Sequence, residues 1–285
     1  MKIKYLYLET NAVRILCNKL ELSLIKTKCF TSSLTVLELL TGLERDFSIR
    51  KKCIREILKH NITVDWTFPD TIKARAFSCD KSEDLRIQDL QKLFVLLPLT
   101  SSYDEYQERA RRLHLEFDLN YFMEADRFYN NNFVKGSVDI IQEFPALLEQ
   151  EVEERTIPLD KQKLIIDTRA DFFKLHGEHR VFNEGLTILT LCDHYADNDE
   201  EKAERIYNSY RGGISYYITA YSYYNILKIS KGNISSENDR ADLEHFLYLR
   251  NRPEVAIVSN DKLIRSICET FWPEKCINPA SLLKV

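Results

Sequence analysis

Glycine and proline are scarce, with 7 of each in 285 residues. Tight turns draw on both, so their scarcity argues against an all-β architecture and for long helices. The seven cysteines (17, 29, 53, 79, 192, 268 and 276) contain no CxxC pair, and the N-terminus lacks a charged-then-apolar signal pattern. A zinc ribbon and a disulfide framework are therefore not expected, and a reducing cytoplasm is the expected location. The most apolar stretch, residues 93–99, is far too short to span a bilayer, so no membrane segment is expected. GxGxxG, P-loop and GxSxG patterns are also missing, which leaves nucleotide cofactors and serine hydrolysis without a signal. A net charge of -4 gives no global footprint for nucleic acid, although it leaves room for a local basic groove.

What is present points to an α/β fold. A hydrophobic content of 44% supplies a core for one large domain or two modest ones. Residues 1–8 read as a strand, and Glu9-Thr10-Asn11 then opens a helix. The same order recurs at Lys28-Cys29-Phe30-Thr31-Ser32, where Ser32 or Ser33 can cap a helix carrying Glu38. A basic amphipathic helix follows over 48–60, a third strand over 62–66, and Pro69 is suited to start a helix. This βα-βαα-β order calls for a parallel sheet covered by helices.

From about 70 to 231 the pattern is helical, with segments over 83–97, 103–129, 138–154, 159–175, 182–194, 200–210 and 214–229. Beyond it, Asp239 and Asp242 stand three apart on a helix, a spacing that puts both on one face. Val255-Ala256-Ile257-Val258-Ser259 is a continuous apolar run of the kind buried on both faces of a parallel sheet. Asp261 lies just past its carboxyl end, where ligands bind in open α/β sheets. A last helix over 263–270 and an edge strand over 275–277 close the chain. Strands at both ends with helices between them describe one α/β domain, 1–69 plus 214–285, interrupted by a helical insertion over 70–213.

Three other patterns carry less. Tyr207, Tyr210, Tyr216, Tyr217, Tyr221, Tyr223 and Tyr224 could stack bases, but the helical spacing of Ile214, Ile218, Tyr221 and Tyr224 favours packing with hydroxyls at the edge. His176 and His179 lack a third zinc ligand. Cys192 and His194 are two apart on a helix and do not face each other.

The acidic residues suggest a chemistry. Carboxylates brought together repel: at an effective dielectric of about 20, two of them about 4 Å apart cost about 4 kcal/mol. A hard divalent cation such as Mg²⁺ or Mn²⁺ would offset this and can activate water against a phosphodiester.

In order along the chain, Glu9 in Leu8-Glu9-Thr10-Asn11, Glu38 in Thr35-Val36-Leu37-Glu38-Leu39, Asp242 in Asn238-Asp239-Arg240-Ala241-Asp242 and Asp261 in Ser259-Asn260-Asp261-Lys262 resemble the acidic pattern of the PIN-domain nucleases. The likeness covers roughly residues 3–66 and 214–278, so the chain resembles a PIN fold with a large helical insertion. It departs at the first position, where aspartate is more usual than Glu9.

The resemblance implies a metal-dependent endoribonuclease acting on single-stranded RNA and leaving a 5′-phosphate. Glu9, Asp242 and Asp261 would hold one or two Mg²⁺ or Mn²⁺, and Glu38 would bind or orient the attacking water. Asp239 would be an outer or second-metal ligand, with Asn11 and Ser259 behind the carboxylates; Asp239 also reads as a helix-start charge. Implied too are a homodimer and a role as a toxin or defence effector held in check by an inhibitory protein partner. The alternative is a catalytically inactive PIN-like module binding protein or RNA. A flap-endonuclease-like DNA nuclease fits less well, because positive charge is low and no helix-hairpin-helix-like glycine motif is present.

Overall fold

The computed structural model describes residues 2–19, 22, 25, 28–79, 84–153, 169–231, 236 and 238–283, with the backbone alone at 137–153, 169–172 and 229–231. The first half runs β1 (Tyr5–Leu8), α1 (Thr10–Asn18), β2 (Lys28–Ser32), α2 (Ser33–Thr41), α3 (Leu43–Lys59), β3 (Thr63–Asp65), α4 (Pro69–Ala76), α5 (Leu85–Leu96) and α6 (Tyr103–Arg111). Then come α7 (Leu119–Glu153), α8 (Arg169–Tyr195), α9 (Glu200–Ser209), α10 (Ser215–Lys231) and α11 (Asp239–Glu244), the last continuing as a 3-10 turn over His245–Leu249. The chain closes with β4 (Val255–Val258), α12 (Lys262–Phe271), β5 (Cys276–Ile277) and α13 (Pro279–Leu282).

Among the described residues the strands form one parallel sheet in the order β3-β2-β1-β4-β5. The chain leaves β1 toward β2 and leaves β4 toward β5, in opposite directions along the sheet. The carboxyl ends of β1 and β4 are therefore the point where the winding reverses, and a crevice opens there. The expected α/β class is the observed one.

Apolar runs explain why β1 and β4 are central. Tyr7, Val255 and Ile257 face one core with α4, α8, α9, α10 and α12. Leu6, Leu8, Ala256 and Val258 face a second core with α1, α2, α3, α5, α6 and the start of α7. Alternate side chains go to opposite faces and both faces are covered, so every residue of β4 is buried. Both cores mix residues from 70–213 with residues of the sheet: Ile72, Phe77 and Ile188 on one face, Leu90, Tyr106 and Phe122 on the other. The helices of the expected insertion cover the sheet itself.

The helix boundaries follow their caps. Ser32 accepts from the Thr35 amide at 3.2 Å at the start of α2, and Pro69 opens α4. The sequence expectation of one helix over 103–129 and another over 138–154 needs correction. The chain breaks after Arg111 and then runs unbroken through α7. The break is held by buried Asp89, whose carboxylate accepts from the amides of Glu116 and Phe117, each at 3.1 Å. His114, in the left-handed region at φ 48°, turns the chain. The expected segment 159–175 lies partly outside the described residues; from Arg169 onward it and the expected segment 182–194 form the single helix α8.

Candidate active site

Glu9, Glu38, Asp242 and Asp261 line one cleft of about 540 Å³ at the carboxyl end of the sheet. Each comes from a different element, so the cluster exists only in the folded chain. Met123, Asp126, Arg127 and Asn130 of α7 form part of its wall. The expected insertion thus contributes directly to the site.

Glu9 follows β1 and caps α1, its carboxylate accepting from the amides of Asn11 at 2.6 Å and Ala12 at 3.0 Å. Asp261 does the same for α12, accepting from Leu263 at 2.7 Å and Ile264 at 3.1 Å. Ser259 lies between the two: its hydroxyl accepts from the Asp261 amide at 2.9 Å and hydrogen-bonds Glu9. Both carboxylates are aimed by helix N-termini, whose partial positive charge favours an anion. The Asn11 side chain is exposed at the cleft.

Glu38 is held differently. Thr10 donates its hydroxyl hydrogen to Oε2, and His245 Nε2 lies 3.1 Å from that same oxygen. Its Oε1 accepts no hydrogen bond among the described residues. The Asp242 carboxylate likewise accepts none among the described residues.

Asp239 is not brought to the cleft. Its carboxylate accepts from the Tyr224 hydroxyl at 2.6 Å and the Ser236 amide at 3.0 Å, and pairs with Lys228 at 2.9 Å. These partners pull it toward α10, so the expected outer or second-metal ligand is engaged elsewhere. Burial opposes its ionisation, but Ser236 and Tyr224 hold its carboxyl below the usual range.

Electrostatics in the cleft reflect crowding. Burial, then the charge of Asp261, pushes the Asp242 carboxyl up to about 8. Burial also pushes Glu9 up to about 7, although His245 opposes the rise. Glu38 moves the other way: burial works against its charge, but His245 and Thr10 outweigh that and hold it below the ordinary value. Burial disfavours the charge on His245, yet Glu38 raises its pKa.

The donor chemistry, all carboxylate oxygen, fits a hard divalent cation. As the side chains stand, no three His, Cys, Asp or Glu groups among the described residues surround a common ion position. Glu9 and Asp261 each give oxygens to a helix start, while Asp242 and Glu38 Oε1 are open.

Several residues around the site carry little or no signal in the sequence. His245, 1% exposed, stands three residues after Asp242, and that spacing is the one available clue. Tyr7 and Thr10 have none. Arg240 ties α11 to α7, reaching Asp126 at 2.6 Å, Asn130 at 2.7 Å and Glu244 at 2.5 Å.

Of the other patterns, Tyr223 and Tyr224 are in the core while Tyr207 is exposed, His176 donates to the Thr219 carbonyl at 3.1 Å and lies tilted against Phe271, and the Cys192 thiol faces the Ala203 carbonyl. No helix among the described residues is long and apolar enough to cross a membrane. No family model, curated protein or solved structure matches the chain.

Proposed function

We propose that the chain is a metal-dependent endoribonuclease acting on single-stranded RNA, with the cleft at the β1/β4 switch point as its active site. The observation that supports this best is the meeting of Glu9, Glu38, Asp242 and Asp261 on one cleft, from four elements as far apart in sequence as Glu9 and Asp261. Burying acids where their charges also oppose one another, as burial and then Asp261 do in lifting Asp242 to about 8, costs stability and calls for a cationic partner.

Asp242, with Glu9 and Asp261 beside it, would hold Mg²⁺ or Mn²⁺. Such an ion supplies charge neutralisation at the phosphate and lowers the pKa of a bound water. Glu38, ionised and with Oε1 open, orients the attacking water and accepts its proton. The water attacks phosphorus in line with the departing 3′ oxygen, leaving a 5′-phosphate. Arg45 and Arg127, exposed at the cleft and without an ion pair among the described residues, are available to RNA phosphates.

The test is cleavage of end-labelled single-stranded RNA and matched DNA in Mn²⁺, Mg²⁺ or EDTA, with Asp261→Asn alongside. Asparagine keeps the cap acceptor of α12 and removes the charge. RNA cleavage that needs metal and drops by about 100-fold or more in the variant is expected; full activity in Asp261→Asn would refute the assignment. A second reading, an inactive module binding RNA or protein, is favoured by the engagement of Glu9 and Asp261 as helix caps. Absence of cleavage together with RNA retention on the purified chain would support that reading instead.

A further inference from the structure

Behind the cleft lies a buried chain of polar groups that the proposed chemistry does not use. His245 Nε2 meets Glu38 Oε2 at 3.1 Å, and its Nδ1 lies 2.6 Å from the Tyr7 hydroxyl. That hydroxyl is 2.8 Å from Ser32 Oγ, which accepts from the Thr35 amide at the start of α2. Tyr7 comes from the central strand, Ser32 from the end of β2, and His245 from the turn after α11. Tyr7 is 0% and His245 1% exposed, so water does not compete for these bonds.

The direction of the bonds can be worked out. An ionised carboxylate only accepts, so Nε2 carries the hydrogen and donates to Glu38 whether the imidazole is neutral or cationic. When the ring is neutral, Nδ1 accepts from Tyr7; when it is cationic, Nδ1 donates to Tyr7, whose hydroxyl then turns to Ser32. In both states the ring stays fixed, because the Tyr7 and Ser32 hydroxyls can each donate or accept. Thr10 donates to the same Oε2. One oxygen of Glu38 is therefore committed to two donors, and Oε1 alone is left for a ligand.

We infer that His245, backed by Tyr7, is a positioning residue for the proposed cleavage: it locks Glu38 by one oxygen so that the other meets a single water. This inference rests on the nuclease reading. A carboxylate held in this way cannot chelate an ion with both oxygens, which separates the role of Glu38 from that of Asp242. His245 itself touches neither RNA nor water; it acts through Glu38.

The experiment is steady-state cleavage of a fluorogenic single-stranded RNA in Mn²⁺ by the full chain, comparing wild type with His245→Leu, His245→Gln, Tyr7→Phe, Glu38→Gln and the double variant Glu38→Gln/His245→Leu. Thermal melts check folding. His245→Leu is expected to lower kcat by about 10- to 100-fold with KM within about twofold of wild type. His245→Gln should recover most of the loss, since its amide nitrogen reaches the place of Nε2. In the Glu38→Gln background the leucine change should add little, as expected for residues acting as a unit. Should His245→Leu fail to fold, Tyr7→Phe carries the test, with a smaller loss in kcat at unchanged KM. Wild-type kcat in His245→Leu or Tyr7→Phe, a glutamine variant no better than the leucine one, or fully additive losses would overturn the inference while the nuclease reading stood. A wild-type chain with no metal-dependent cleavage would overturn both.

Discussion

Asp242 holds the open carboxyl of the cleft. Its carboxyl, pushed up to about 8 by burial and Asp261, binds a proton more tightly in the folded chain than in the unfolded one, where it titrates near its ordinary value. Its contribution to stability is therefore present at low pH and is lost as pH rises through about 8. Glu9, at about 7, and His245, also raised, act in the same direction. Glu38, lowered, adds stability that is lost only as pH falls below the usual carboxylate range. In EDTA the melting temperature should consequently drop as pH rises from 6 to about 8.5. Asp242→Asn should flatten that drop and stabilise the metal-free chain at the alkaline end by on the order of 2 kcal/mol. A melting temperature that rises with pH over this range in EDTA would contradict the account.

At the scale of elements, two cations act as clamps, one beside the cleft and one at the amino end of β4. Arg240 joins α11, which carries Asp242, to α7, which walls the cleft, through Asp126 and Asn130. It also shares buried Glu244 with Lys73. Arg240→Ala leaves Glu244 with one cation and frees α7 from α11. A stability loss of about 2 kcal/mol is expected, with faster amide exchange around residues 123–131 than elsewhere in the chain. Uniform exchange throughout would argue against a local clamp.

Lys275 is the second clamp. Though 1% exposed, it donates to the carbonyls of Arg252, Pro253 and Val255, fixing the loop that feeds β4 against the strand that follows α12. Lys275→Met keeps the length and removes three donors, so chemical denaturation should show a loss of about 3 kcal/mol. An unchanged midpoint would show that the loop holds without it.

For the whole molecule, the cleft is where two sheet halves wound in opposite directions meet α7, and a cation bound there would engage only the native chain. Mn²⁺ at about 100 times its dissociation constant should stabilise the protein by about 2.7 kcal/mol. The shift should be much smaller in Asp261→Asn, and its absence in wild type would weigh against a metal site. The five strands, their parallel direction and the starts of α2, α4 and α12 were legible beforehand. Continuous apolar runs specify strands buried on two faces, and Ser32 and Pro69 are local signals read over three or four residues. Glu9 and Asp261 could be placed because each comes just past the end of a strand. Other features were decided only by tertiary packing. Asp239 and Asp242 share a spacing but not a destination, because Tyr224 and Lys228 draw one of them to α10. The break before α7 depends on Asp89, 28 residues away from Phe117. His245 finds Tyr7 across 238 residues of chain. Strand and cap patterns are properties of neighbouring residues, whereas the direction of a side chain and the partner it meets are set by which elements pack beside it.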